Sequence, residues 1–168
     1  MRHRPIIMLV LLALTITAGP ASLAVASPAV PRTFVTSLSG AEEVPANDSL
    51  ARGAAVFKLS ADGSELSYRL IVANIDDVTQ AHIHLAPAGS NGGVVLWLYP
   101  SGPPSQLIPG RTDGILATGT VTGANLVGTL AGQPLSALIE HIDNANAYVN
   151  VHTAPPDGFP GGEIRGQL

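Results

Sequence analysis

Two alternating runs near the C-terminus constrain this chain most. Tyr148 to Gln167 reads YVNVHTAPPDGFPGGEIRGQ. Tyr148, Asn150 and His152 alternate with Val149 and Val151; Glu163, Arg165 and Gln167 alternate with Ile164 and Leu168. Side chains along a strand point to opposite faces with period two. Each run therefore predicts a strand with one apolar face and one face of Asn, His, Glu or Arg, joined by a Pro/Gly-rich turn. Upstream, Ala81-His82-Ile83-His84-Leu85 repeats the design with two histidines on one face. The three polar faces are expected to meet at one site.

On a strand, His82 and His84 lie with Cα atoms about 6.5–7 Å apart on the same side, close enough for two imidazoles to converge on one ion. Imidazole suits zinc and copper, with bonds of about 2.0–2.1 Å. His152 is the expected third ligand, because its strand is built the same way. Glu163 is expected as a carboxylate ligand or as a group that orients an imidazole N–H. The chain has no cysteine, so thiolate sites are excluded. The alternative is structural: Asn150 braces a loop, and Arg165 pairs with Glu163 or Asp157 in a closed network that fixes strand register.

Other chemistry finds little support. No Gly-x-Ser-x-Gly context is present for a nucleophilic serine. The glycines from Gly89 to Gly93 precede an apolar strand rather than a helix, a poor setting for phosphate. Glu42-Glu43 reads as a solvated pair, and His141 as an exposed residue at a helix C-terminus.

The first residues form a targeting segment: basic Met1 to Arg4, an apolar run from Ile6 to Ala18, and Ala24-Val25-Ala26 as a small-x-small cleavage pattern. Residues 1–26 are read as a signal peptide, 27–33 as a short leader and 34–168 as one domain, secreted or periplasmic. No later segment is long and apolar enough to span a bilayer. Losing Arg2 and Arg4 leaves six basic residues against twelve acidic ones, a net charge of −6. Without a basic patch, nucleic acid is an unsuitable partner.

Among 168 residues, 18 Gly and 14 Pro favour short strands and tight turns. Strands are predicted over Thr33–Ser39, Gly53–Ser60, Glu65–Ala73, Gln80–Leu85, Val94–Tyr99, Ile115–Thr122 and Asn125–Leu130, besides the two at the C-terminus. Asp62-Gly63 marks a hairpin, Asn74–Thr79 a polar turn, and Pro100–Gly114 a long loop. Leu135, Leu138, Ile139 and Ile142 follow helical spacing, predicting one short helix over Pro134–Asp143. The expected class is all-β, an antiparallel two-sheet sandwich with one helix.

Taken together, LSGAEEVP (Leu38 to Pro45), AHIH (Ala81 to His84), the PAG-x-NG loop (Pro87 to Gly92) and YVNVHT…P-GGEIRGQ resemble the CHRD domain, the module named after chordin. The likeness runs from about Phe34 to Leu168; Leu85 stands where a smaller residue is usual. It implies an immunoglobulin-like, Greek-key sandwich comparable to Cu/Zn superoxide dismutase, and a location outside the cytoplasm. After a signal peptide only His82, His84, His141 and His152 remain, too few for the dismutase's two-metal site. Three readings follow. One is a copper- or zinc-binding domain using His82, His84 and His152, with Tyr148, Asn150, Glu163 and Arg165 around it. Another is a metal-free module for an extracellular protein partner. The third is a single-copper redox enzyme in which Arg165 steers an anion.

Overall fold

The computed structural model describes residues 31–168; the expected signal segment and its expected cleavage position lie outside them. The expected hairpin opens the fold. Strand β1 (Arg32–Ser39) pairs with β2 (Arg52–Leu59), and β2 with β3, which runs from Leu66 to Leu85. Between β2 and β3, Gly63 takes a positive φ of 73°. The Asp62 carboxylate accepts hydrogen bonds from the Ser60 and Ser64 hydroxyls and the Ser64 N–H, closing the turn.

The 20-residue β3 is the axis of the molecule. Its first half pairs with β2 and with β5 (Ile108–Val121); its second half pairs with β4 (Gly93–Tyr99) and β6 (Tyr148–Thr153). The polar turn expected at Asn74–Thr79 is instead the middle of this strand. Asn74 and Asp77 take positive φ angles of 58° and 52°, and the register with β5 shifts around both. Asn and Asp tolerate that conformation best among side chains other than glycine. They also lock the bend: the Asp113 carboxylate accepts from the Asn74 N–H, and the Asp77 carboxylate from the Gly110 N–H, both at 2.7 Å. Polar residues thus bulge a continuous strand. They likewise carry β5 back into Ile108–Gly114, which the sequence reads as loop.

The short β7 (Ile164–Gln167) joins β6 to β1. Pairing therefore runs β1, β2, β3, β6, β7 and back to β1, a five-stranded barrel, with β4 and β5 attached to β3. One sheet closes on itself where the sequence reading expects two facing sheets. The reason lies in β3, whose two halves offer pairing edges to strands that separate sheets would divide. The all-β class with one short helix holds. Asn125–Leu130, expected as a strand, forms two short 3-10 turns, with the Thr122 and Asn125 side chains capping the first.

The helix, α1 (Leu135–Asp143), buries Leu135, Leu138, Ile139 and Ile142, the residues its spacing selects, and Pro134 sits at its N-cap. An Arg32–Asp143 ion pair ties its end to the start of β1. Among the described residues no helix is long and apolar enough to cross a membrane. The core takes the apolar faces of the strands around the site, including Ile83, Val149, Val151 and Ile164, all fully buried. The opposite faces of the same strands point out of the barrel wall, and loops cover them.

Candidate metal centre

The register of β3, β6 and β7 lays the polar side chains out in rows. His84 faces Tyr148, which faces Gln167; His82 faces Asn150, which faces Arg165; Gln80 faces His152. His82 and His152 are thus diagonal neighbours, within reach of long side chains across a sheet. The three imidazole centroids are 5.1–5.9 Å apart. Their ligating nitrogens all lie within 4.8 Å of one another, and all three residues are buried.

Hydrogen bonds fix which nitrogens are bare. His84 Nδ1 lies 3.0 Å from the Gly92 carbonyl, and His152 Nδ1 lies 3.0 Å from the Pro160 carbonyl. A carbonyl only accepts, so both Nδ1 atoms carry the proton and both Nε2 atoms keep a lone pair. This arrangement orients histidines that bind metals. His82 Nδ1 stands 3.3 Å from His152 Nε2. His82 Nε2 and His84 Nε2 are buried with no partner at all. Buried polar atoms are normally satisfied, so the cluster is short of a donor or a cation.

The separations suit an ion. With bonds of about 2.0–2.1 Å, two nitrogens on a tetrahedral centre stand about 3.3–3.4 Å apart. The His82–His152 pair already has that spacing, and small ring rotations bring the third nitrogen in. Burial also keeps the rings neutral, the form that ligates. It lowers His82 to about 3, helped by the neighbouring His152 and His84, and His152 to about 4, against the opposing Pro160 hydrogen bond. His84 is lowered too, chiefly by burial and further by the Arg165 charge, against its bond to Gly92.

The remaining site residues support this cluster. Tyr148 stacks on His84 with centroids 4.9 Å apart and planes 10° from parallel. The Arg165 guanidinium lies over Tyr148, 3.5 Å from the ring centroid. Gly92 links the stack: its N–H donates to the Tyr148 hydroxyl at 3.1 Å, while its carbonyl holds His84. A Cβ on Gly92 would stand 1.8 Å from the Leu85 carbonyl oxygen, so the loop closes this tightly only on glycine. Trp97 meets the His82 ring edge-on, at 4.3 Å between centroids.

The expectations for Arg165 and Glu163 change. Arg165 forms no ion pair with Glu163 or Asp157. It is 1% exposed and donates to the Ser90 and Pro87 carbonyls, Asn91 Oδ1 and Gln167 Oε1. With its donors committed to the 87–91 loop, it is not placed to steer an anion. Glu163 is neither a ligand nor a partner of an imidazole N–H. Its oxygens accept from the Ser49 and Thr153 hydroxyls, both at 2.7 Å, and so tie the 40–49 loop to β6.

Glu43 departs furthest from its reading as a solvated residue. It is 7% exposed, and both its oxygens accept from Asn150 Nδ2, at 3.0 and 3.1 Å. Burial raises its carboxyl to about 7, against the Arg165 charge and the Asn150 bond. Only Glu42 of the pair is exposed. Sequence reasoning also missed the carbonyls of Gly92 and Pro160, since backbone groups leave no residue-type signal. His141, on α1, bonds through Nδ1 to the amide of Asn146 just beyond the helix and is not part of the cluster.

The sequence model of one family, the CHRD domain, matches residues 34–168, which include every residue of the cluster and its supports. No curated protein and no solved structure matches the chain significantly.

Proposed function

This chain belongs to the CHRD domain family, and on that premise we propose that it is an exported binding protein that holds one copper or zinc ion through His82, His84 and His152. The observation that carries the reading is the convergence of one ligating nitrogen from each of His82, His84 and His152 within 4.8 Å, with His84 Nε2 a buried, orphaned lone pair and His82 Nδ1 3.3 Å from His152 Nε2, whose own ring proton is tied to a backbone carbonyl. Leaving a buried lone pair such as that on His84 unmet costs about 1–3 kcal/mol. A bound ion recovers that cost. Export rests on the basic, apolar and small-x-small features of the first 26 residues.

Metal-free protein, titrated calorimetrically with Cu(II) and then Zn(II), should take up one equivalent. His82→Ala and His152→Ala should each abolish it. Uptake that is unchanged in both variants would sink the proposal. N-terminal sequencing of protein recovered outside the cytoplasm should begin at Ser27.

A second reading has its own support. Glu163, Arg165, Glu43 and the Asn150 amide nitrogen spend their polar atoms on loops and on one another, as a network that only braces a binding surface would. Here the protein is a metal-free extracellular interaction module, and the histidine variants lose stability without losing a ligand.

A further inference from the structure

Resting on the three-histidine reading, we infer that the ion this site selects is monovalent copper, held by three nitrogens without a fourth ligand from the protein.

The donor set is the first reason. Three neutral imidazoles make up the cluster, and no Asp or Glu of the described residues joins it. Zinc in closed sites takes four ligands, and divalent copper prefers a tetragonal arrangement. Apart from Asn150 Oδ1, a buried and unpartnered oxygen opposite His82 that a soft monovalent ion does not require, either would need water or an anion to complete its shell. Here the approaches are filled. His82, His84 and His152 are 2%, 8% and 6% exposed, Trp97 packs against the His82 ring, and Tyr148 covers the face of His84. Three nitrogens satisfy a monovalent d¹⁰ ion, which imposes no four-fold geometry.

Charge is the second reason. The cost of burying an ion rises with the square of its charge, so a dication without an anionic ligand is penalised far more than a monocation. Glu43 and Glu163 are committed to Asn150, Ser49 and Thr153 and not to the cluster, so no anionic ligand offsets the charge of the ion. Arg165 itself is stacked on the ring that stacks on His84, an unfavourable neighbour for a dication.

The test is competition on the purified chain. Under anaerobic conditions the metal-free protein is titrated with Cu(I) against bathocuproine disulfonate, and separately with Zn(II) against a chromophoric zinc chelator. Cu(I) should be retained as one equivalent and bound about a thousandfold more tightly than Zn(II). X-ray absorption on the copper-loaded sample should show three nitrogen neighbours. Zinc binding as tight as copper, or a fourth oxygen neighbour on Cu(I), would overturn the inference and leave a three-histidine site standing. Failure to bind either metal would remove the underlying reading as well.

Discussion

His82 Nδ1 and His152 Nε2 stand 3.3 Å apart in a buried setting, and His152 Nε2 has no proton to give. Without metal, the contact requires a proton on His82 Nδ1, and that leaves His82 Nε2 unmet. The folded protein therefore keeps three imidazoles neutral and dry that the unfolded chain exposes. Every prediction about acid, metal and stability starts from this cost.

Acid should unfold the metal-free protein early. The three rings have folded pKa values below the ordinary 6.5, with His82 near 3 and His152 near 4. As pH falls below about 6.5, the unfolded chain takes up protons that the fold refuses, so stability falls and continues to fall towards pH 4. The steepest slope from three groups is about 4 kcal/mol per pH unit. Urea midpoints of chelator-treated protein at pH 7, 6 and 5 measure it. A midpoint unchanged between pH 7 and 5 would mean the rings are not buried neutral.

Glu43 has the opposite sign. Its folded pKa is raised from 4.5 to about 7, so the fold pays for ionising it as pH rises through that window. Glu43→Gln removes the charge and keeps an acceptor for the Asn150 amide. Relative to the wild type, the variant should gain stability between pH 4.5 and 8, by about 3 kcal/mol at most. Glu42→Gln, on an exposed neighbour, should stay within about 0.5 kcal/mol at every pH. Identical pH profiles for the two variants would show that Glu43 is solvated after all.

The contrast between these two glutamates shows what a sequence can reveal. His82, His84, Tyr148, Asn150 and His152 were legible because a strand's period of two assigns each residue a face without knowledge of its neighbours. Glu43 lies in an irregular loop, where burial depends on contacts more than a hundred residues away. Its acidic neighbour makes a solvated pair the natural reading. The barrel was hidden for a related reason. Asn74 and Asp77 have turn composition, and only their bonds with Asp113 and Gly110 decide that the strand bends instead of ending. The helix at Leu135–Asp143 was legible because its four apolar residues carry their own period.

Arg165→Lys should not be conservative. Lysine keeps the charge but loses the planar fork that reaches two loop carbonyls and stacks on Tyr148. The loss should be about 2–4 kcal/mol, since a buried cation and several carbonyls lose their partners. Thermal or urea unfolding reads it directly. A change below about 0.5 kcal/mol would mean the stack contributes nothing to holding the 87–91 loop.

Tyr148→Phe isolates the link between loop and ligand. The aromatic ring survives, so its stack on His84 is retained, and only the hydroxyl that accepts the Gly92 N–H is lost. The direct cost is one buried hydrogen bond, about 1 kcal/mol. The same Gly92 presents the carbonyl that holds the His84 proton on Nδ1. Loosening it frees His84 to turn, and partners of this kind shift metal affinity about 10–100-fold. The predicted signature is therefore disproportionate: a modest shift in the urea midpoint with at least a tenfold loss of metal affinity. Gly92→Ala, which drives a methyl group into the Leu85 carbonyl, should be worse in both respects, with a stability loss above about 2 kcal/mol. If Tyr148→Phe lowers stability and leaves metal affinity intact, Gly92 positions the loop and not the imidazole.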